Sequence, residues 1–561
     1  MESDVNYLMT KTPAPTHTRP SRQITLLFIG LMLAMLLASL NQTVLSTALP
    51  TIVGELDGVD VMPWVITSYI LAATIVMPVY GRIGDQIGRK PLLMTAIVLF
   101  MVGAITGGVA QNIWWLIAGR GIQGLGGGGL MLLSQAIIAD VVPARQRGKY
   151  MGIMGSVFAV SSVAGPLLGG WLTEGPGWRW AFWVCIPLGV LALIAAVKFM
   201  NLPKLGEGKP KLDYAGMALI AIATSSLVLA ATWGGSEYDW GSGQIIGLIV
   251  AGVVAAVLFA WVETRAAEPI MPPALFRDRN FVLTTTAGLL VGVSMFGVLG
   301  YMPTYLQMAA GVSATVAGLL MVPMMGTMLL TSVVAGLYVT RTGRYKWLPI
   351  TGSLLIATAL MLLSTMTATT PVWVLCAYIA VMGLGLGTCI QLLVLIVQNS
   401  FPAKVVGTAT AANNYFRQTG ASLGSAVVGN LFASRLMSQL MDKIPADEAA
   451  GVTGGASSLT PERVNEMPSS MQTIVVEAYN EALIPIFLFM IPAGLIAAVL
   501  LSFVKEKKLA TTIDRDEPFE EGDDEVDEDA EDAENSESSG MSRNPDSAAE
   551  TVAAKKQPAL S

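Results

Sequence analysis

Long apolar runs broken by short polar segments dominate this chain, and the segments are rich in glycine, proline and basic residues. An α-helix needs about 20 residues to cross roughly 30 Å of hydrocarbon, and runs of that length recur along nearly the whole sequence. Fourteen can be read, near 24–50, 62–80, 91–111, 114–140, 149–172, 179–200, 213–233, 243–262, 281–308, 314–339, 347–366, 371–399, 405–437 and 474–504. Backbone groups in hydrocarbon must satisfy one another, which a helix does within its own segment. The pattern therefore predicts an all-α membrane protein. If 213–262 does not cross, the count falls to twelve and parity is preserved. Segment 438–473, with Pro445, Gly454, Gly455 and Pro461, is too polar to cross and predicts an excursion between the last two spans.

Charge adds direction. Arg82, Arg89 and Lys90, then Arg145, Arg147 and Lys149, then Lys198, Lys204, Lys209 and Lys211 fall on alternate loops, and Arg341, Arg344, Lys346 and Lys505 continue the series. The excess of Lys and Arg on cytoplasmic loops predicts cytoplasmic termini. The formal net charge of −7 conceals a division: residues 514–561 hold 17 acids and 4 bases, against 23 acids and 29 bases in 1–513. Such an acidic stretch lacks the apolar content to fold, so a disordered tail is expected over 505–561. The first 23 residues carry no short apolar core before a small-residue cleavage site, so no cleaved signal peptide is expected.

Composition narrows the chemistry. Hydrophobic residues make up 53% and charged residues 13%, and the one histidine is His17 near the N-terminus, which excludes imidazole relays inside the membrane. Cys185, Cys376 and Cys389 have the spacing of neither a disulfide framework nor a metal site. No glycine-rich phosphate loop with its lysine and hydroxyl residue is present. No enzymatic activity and no cofactor are expected, and energy for any transport would come from an ion gradient or the substrate's own gradient.

The segment Gly81-Arg82-Ile83-Gly84-Asp85-Gln86-Ile87-Gly88-Arg89-Lys90 must lie at a membrane edge, since hydrocarbon does not hydrate charge. It resembles the signature loop between helices 2 and 3 of the major facilitator superfamily. Arg120, inside the fourth span with Gln123, resembles that family's buried helix-4 arginine, associated with proton transfer. Gly155, Gly165, Pro166, Gly169 and Gly170 on the fifth span look like the antiporter motif, in which small residues allow close helix packing. Trp178–Phe182 and Pro187–Gly189 resemble the 14-helix drug:proton antiporters, and Gly336 to Lys346 repeats the loop weakly.

This resemblance implies two six-helix bundles, 24–200 and 281–504, with two inserted helices within 201–280. It also implies a latch on the cytoplasmic side, to which Gly81, Asp85, Gly88, Arg89, Lys90, Asp140 and Arg147 are assigned. In place of the aspartate of the family's helix-1 motif this chain has Asn41. Asparagine is nearly isosteric with protonated aspartate but cannot titrate. At about 1.5 Å per residue, Asn41 and Arg120 lie at comparable depths on helices of opposite direction, which predicts a shared environment.

With Asn41 unable to titrate, Glu477 and Glu481, four apart on the last span, are the remaining proton-coupling candidates beside Asn41 and Arg120. Two readings of that pair stay open: proton binding, or exposed charges at a helix start. Gln42, Gln123, Tyr301, Tyr305, Asn413, Asn414 and Arg417 are the expected lining of a central cavity. For Asn413, Asn414 and Arg417, hydrogen bonding between helices alone is the other reading.

The function implied is efflux of amphipathic, often cationic, compounds in exchange for protons, with coupling impaired by Asn41. The expected setting is a bacterial cytoplasmic membrane, with small substrates, protons and lipid as partners, no nucleic acid, and a monomeric state. One rival reading changes the cargo to a lipid, siderophore or metabolite. Another is a membrane sensor or scaffold that does not transport.

Overall fold

The computed structural model of the protein describes residues 22–58, 61–200, 212–235, 237–309, 311–312, 314–367, 369–443 and 469–511. The described residues are helical, with only an isolated bridge between Gly234 and Tyr238. Among the described residues, twelve helices are long and apolar enough to cross a membrane. Helices α1 to α5 are Arg22–Glu55, Met62–Ile87, Arg89–Gly108, Ile113–Val141 and Ala144–Glu174. The short α6, Trp180–Trp183, continues into α7, Cys185–Phe199, and the pair α8, Tyr214–Trp233, and α9, Gly243–Glu263, follows.

Next come α10, Arg279–Ala309, α11, Ala314–Leu320, and α12, Val322–Thr342. The remaining helices are α13, Trp347–Leu363, α14, Val372–Ser400, α15, Val406–Lys443, and α16, Ser469–Ser502. Two of these fall outside the twelve for different reasons: α13 is apolar but only 17 residues long, and the 38-residue α15 has a polar middle.

Two hydrophobic cores organise the packing. One is built from α1 to α5 and α7, around Leu31, Met35, Phe100, Leu133 and Met154. The other is built from α10 to α16, around Met324, Leu386, Leu393 and Phe487. Large apolar side chains such as Val257, Trp261, Leu488 and Phe489 stay exposed on the outer faces, where hydrocarbon would take the place of a protein neighbour. The α8–α9 pair packs beside the α2–α15 seam, with Thr224 bonded to Tyr415 at 2.7 Å and Asn430 donating to the Ala231 carbonyl at 3.0 Å.

Across the two cores, α2 packs on α15 and α5 on α12. The second crossing depends on absent side chains: a Cβ on Gly152 would strike the Ser332 carbonyl, and one on Gly148 the Gly336 carbonyl. Gly88, at φ +90°, lets the chain reverse between α2 and α3.

The disorder expected from residue 505 does not hold for residues 505–511. Residues 503–511 run over the basic end of the molecule, with Val504 and Leu509 buried. The Asn280 side chain accepts from Lys505 N at 2.8 Å and donates to its carbonyl at 3.0 Å. Glu506 accepts from Tyr345 N at 2.7 Å, and the Ala510 carbonyl accepts from Arg145 N at 3.1 Å. Hydrogen-bonded backbone groups and two buried apolar side chains hold this stretch in place. The rest of the expected tail, the first 21 residues and positions 444–468 of the expected excursion lie outside the described residues.

Candidate functional site

The polar centre of the first core forms around Arg120, which is 1% exposed. The glycine-rich face of α4 lets α2 approach, so that the Arg120 guanidinium stacks over the Tyr69 ring at 4.3 Å from its centroid. Its Nη1 donates to Asn41 Oδ1 at 2.9 Å and Gln123 Oε1 at 2.7 Å, and its Nε donates to the Val65 carbonyl at 3.2 Å. Among the described residues no carboxylate pairs with it. Asn41, also 1% exposed, uses both ends of its amide. While Oδ1 accepts from Arg120, Nδ2 donates to Cys185 Sγ at 3.3 Å and more weakly to the Ala181 carbonyl at 3.5 Å.

A neutral carboxylic acid would reproduce this pattern, with O–H in place of N–H. An ionised carboxylate would instead turn an oxygen toward the Ala181 carbonyl while gaining attraction to the guanidinium. The position can therefore tell the two protonation states of an acid apart, and asparagine supplies the contacts of one of them. A small cavity of ≈ 50 Å³ touches Asn41 and is walled by apolar residues including Leu40, Val44, Leu172 and Ala181.

The charged residues of Gly81–Lys90 build a different kind of site at the basic end. Arg89, 2% exposed, pairs with Asp85 at 2.9 Å and Asp140 at 2.5 Å, and also donates to the Ala136 carbonyl. Asp85 reaches across the seam to the start of α15. It accepts from Gly407 N at 3.1 Å and from both the backbone N and the hydroxyl of Thr408 at 2.7 Å. The first turn of a helix presents unpaired N–H groups and a partial positive charge, so this carboxylate caps a helix of the opposite core.

Gly81 completes the approach, since a Cβ there would strike Ala411. Lys90 caps α7 through the Val197 and Met200 carbonyls at 3.1 and 2.8 Å. Arg147 donates to the Ala139, Val142 and Gln398 carbonyls. Arg145 reaches the Thr340 and Arg341 carbonyls of α12.

Higher along the seam, Asn414 Nδ2 donates to Gln135 Oε1 at 2.8 Å, and Gln398 Nε2 donates to the Gln135 carbonyl at 3.3 Å. Arg417 Nη2 donates to Asn414 Oδ1 at 2.8 Å, and Asn413 Nδ2 to Thr285 Oγ1 at 3.3 Å. The antiporter-motif glycines divide between two neighbours. Gly165 and Gly169 press on Thr43 and Val44 of α1, Gly155 presses on Ser332 of α12, and Gly170 faces open space. Thr43 Oγ1 also donates to the Ser161 carbonyl at 2.9 Å. Pro166 lies inside the continuous helix α5.

The structure does not bring the other candidates to Arg120. Glu477 and Glu481 are about half exposed and lie 3.8 and 2.8 Å from Lys443 at the end of α15. At about 1.5 Å per residue, Lys443 is well over 50 Å along that helix from Val406, far from the basic end. Tyr305 is buried and donates to Asn480 Oδ1 at 2.8 Å, Tyr301 packs on Phe432, and Gln42 is half-buried.

Several partners carried no signal in the sequence. Tyr69, Cys185 and the Val65 carbonyl complete the Arg120 site. Glu268, in the loop after α9, pairs with Arg82. Asp85 could be read as an ion-pair partner, but its role as a helix cap follows only from the packing of α2 on α15.

The Major Facilitator Superfamily model matches residues 31–425. A transporter of Mycobacterium tuberculosis (strain ATCC 25618 / H37Rv), called an uncharacterized MFS-type transporter, is 39% identical over 510 residues, covering 89% of this chain and 73% of the relative. The multidrug transporter protein MdtP of Bacillus subtilis (strain 168) is 33% identical, covering 87% of this chain and 94% of that protein. Among solved structures, the proton:xylose symporter XylE superposes with a TM-score of 0.56 at 17% identity, over 88% of this chain and 98% of that one. With these matches and this arrangement of helices, the chain belongs to the major facilitator superfamily of multi-pass membrane transporters.

Proposed function

We propose that this protein exports amphipathic small molecules by alternating access, and that Asn41 holds its proton-coupling position in the state of a neutral acid. The proposed architecture has fourteen crossings, with α6–α7 and α11–α12 each counted once, and puts the basic end in the cytoplasm. Closure by α2 on α15 and α5 on α12 then corresponds to a cavity shut inside and open outside. Relatives named for multidrug transport support the export reading.

The observation that carries the coupling reading is Arg120: a guanidinium 1% exposed, bonded to Asn41 at 2.9 Å, with no acid beside it among the described residues. A group that both binds a proton and contacts Arg120 would link the protonation state to helix packing, because α1 presses on α5 and α5 on α12. Protons and substrate would then favour different cavity orientations. With Asn41 that link is fixed in one state.

The test is release of an amphipathic dye from proteoliposomes holding the purified chain. The expected result is protein-dependent release down the dye's own gradient, at a rate indifferent to an imposed pH gradient. Dye retention equal to that of protein-free vesicles would contradict export. Release accelerated several-fold by a pH gradient would contradict the reading of Asn41.

A further inference from the structure

Resting on the export reading, we infer that Arg417 is a recognition site for the anionic head of an amphipathic substrate, such as a carboxylate, sulfonate or phosphate carried on an apolar body. This reverses the cationic cargo that the family resemblance suggests. Three observations carry it.

The first is the charge inventory. Among the described residues, the acids inside or flanking the helices sit near helix ends or in loops, among them Asp85, Asp140, Asp278, Asp213 and the buried Glu263 at the end of α9, Glu55 and Glu174 at the opposite end from Asp85, and Glu477 and Glu481 beside Lys443. The ionisable groups left near mid-membrane that carry charge are two arginines, Arg120 and Arg417, and neither pairs with a carboxylate among those residues. A cationic head entering this space meets like charge in a low-dielectric setting, whereas an anionic head meets its complement.

The second is position. Hydrogen bonds that cross between the two cores run from Asp85 at the start of α15 up to Gln135–Asn414 and to Ser332 Oγ, which donates to the Gly152 carbonyl. Arg417 is one turn beyond Asn414 on α15, about 16 Å from Val406. It is thus the charged side chain next above the closed layer, and it is partly accessible. A substrate descending between the cores from the opposite end would bring its polar head to rest there.

The third is unmet bonding capacity. Arg417 Nε is buried without a hydrogen-bond partner, as are Asn413 Oδ1 and Thr284 Oγ1. Asn413 is 1% exposed, and Gly288, one turn beyond Thr284, lies beside both Asn413 and Arg417, where a Cβ would come to 3.8 Å from Asn413 Nδ2 and 4.0 Å from Arg417 Cβ. A guanidinium with a free Nε edge is built to grip an oxyanion through two donors. Where the head is a hydrogen phosphate, its O–H would also serve Asn413 Oδ1. Arg120 offers no equivalent edge, because its Nε and Nη1 are taken by Val65, Asn41 and Gln123.

The test uses a matched pair of fluorescent amphiphiles, identical in body, one ending in a sulfonate and one in a quaternary ammonium. Binding and transport of each are followed with the full chain in neutral phosphatidylcholine vesicles. The expected result is at least tenfold tighter binding of the sulfonate. Arg417→Gln should remove that preference while leaving ammonium binding unchanged or better, and Arg417→Lys should retain part of it. Unchanged melting of Arg417→Gln, measured alongside, separates loss of recognition from misfolding.

Preference for the ammonium probe, equal binding of both, no sulfonate binding, or a preference that survives Arg417→Gln would each overturn the inference. Transport of both probes without charge preference would leave export standing and sink the anion site. Arg417-dependent sulfonate binding without transport would do the reverse. Competition by added phosphatidylglycerol would identify the anion as a lipid headgroup, and its absence would identify a free amphiphile, either being consistent with the site.

Discussion

Two buried arginines of this protein lie on neighbouring helices of one core and are treated in opposite ways. Arg89, 2% exposed, has Asp85 and Asp140 beside it, and the surplus negative charge is absorbed by the first turn of α15. Arg120, 1% exposed, has only neutral partners and an aromatic face. Burying a charge without compensation costs several kcal/mol, so the two sites cannot have the same purpose. The compensated arginine ties two cores together where neither charge has to change. The uncompensated one keeps beside it a position that is occupied by an amide and shaped for an acid.

The widest break in that contrast comes from Asp85→Asn. Removing one partner of a buried pair costs about 3–5 kcal/mol, and here it also uncaps α15. Spin labels at Gln146 on α5 and Thr342 on α12, both exposed at the basic end, should move apart in distance measurements. An unchanged distance distribution would mean that the carboxylate does not hold the seam.

Gly152→Val tests the same closure without touching charge. Overpacking of this kind costs about 1–3 kcal/mol, so the same labels should show a smaller, partial separation and slower dye release. Glu481→Gln should do least. It is itself exposed and its partner Lys443 only half-buried, and such surface pairs contribute about 0–1 kcal/mol. Dye release and its dependence on pH should stay as in the parent chain, and a clear loss of either would bring Glu481 back among the coupling groups.

How much of this was legible in the sequence follows from range. The spans were readable because each is a local apolar run. Helix α13 ends at Leu363 where the sequence suggested 366, and α15 extends to Lys443 where it suggested 437, since a helix end in water is not marked by hydropathy. The proximity of Asn41 and Arg120 followed from counting residues along two antiparallel helices, and their hydrogen bond agrees with it.

What could not be read was everything completed by backbone. The Val65 and Ala181 carbonyls and the Gly407 amide carry no residue-type signature. The Asp85 cap joins positions 322 and 323 residues apart. Glu477 and Glu481 look alike in sequence whether or not they serve a proton, and only the reach of α15 places Lys443 against them. The docked segment 503–511 was hidden for another reason: it is short and lysine-rich, with no local sign of order, while its order depends on Asn280 and Tyr345, well over a hundred residues away.

The measurement closest to the central claim compares the parent chain with Asn41→Asp in proteoliposomes holding an internal pH dye, with an amphipathic substrate added on one side. If Asn41 fixes the coupling position in the state of a neutral acid, substrate should drive proton movement only in the substituted protein. Equal, substrate-dependent proton movement in both would contradict it, because coupling would then run through a group other than the one that contacts Arg120.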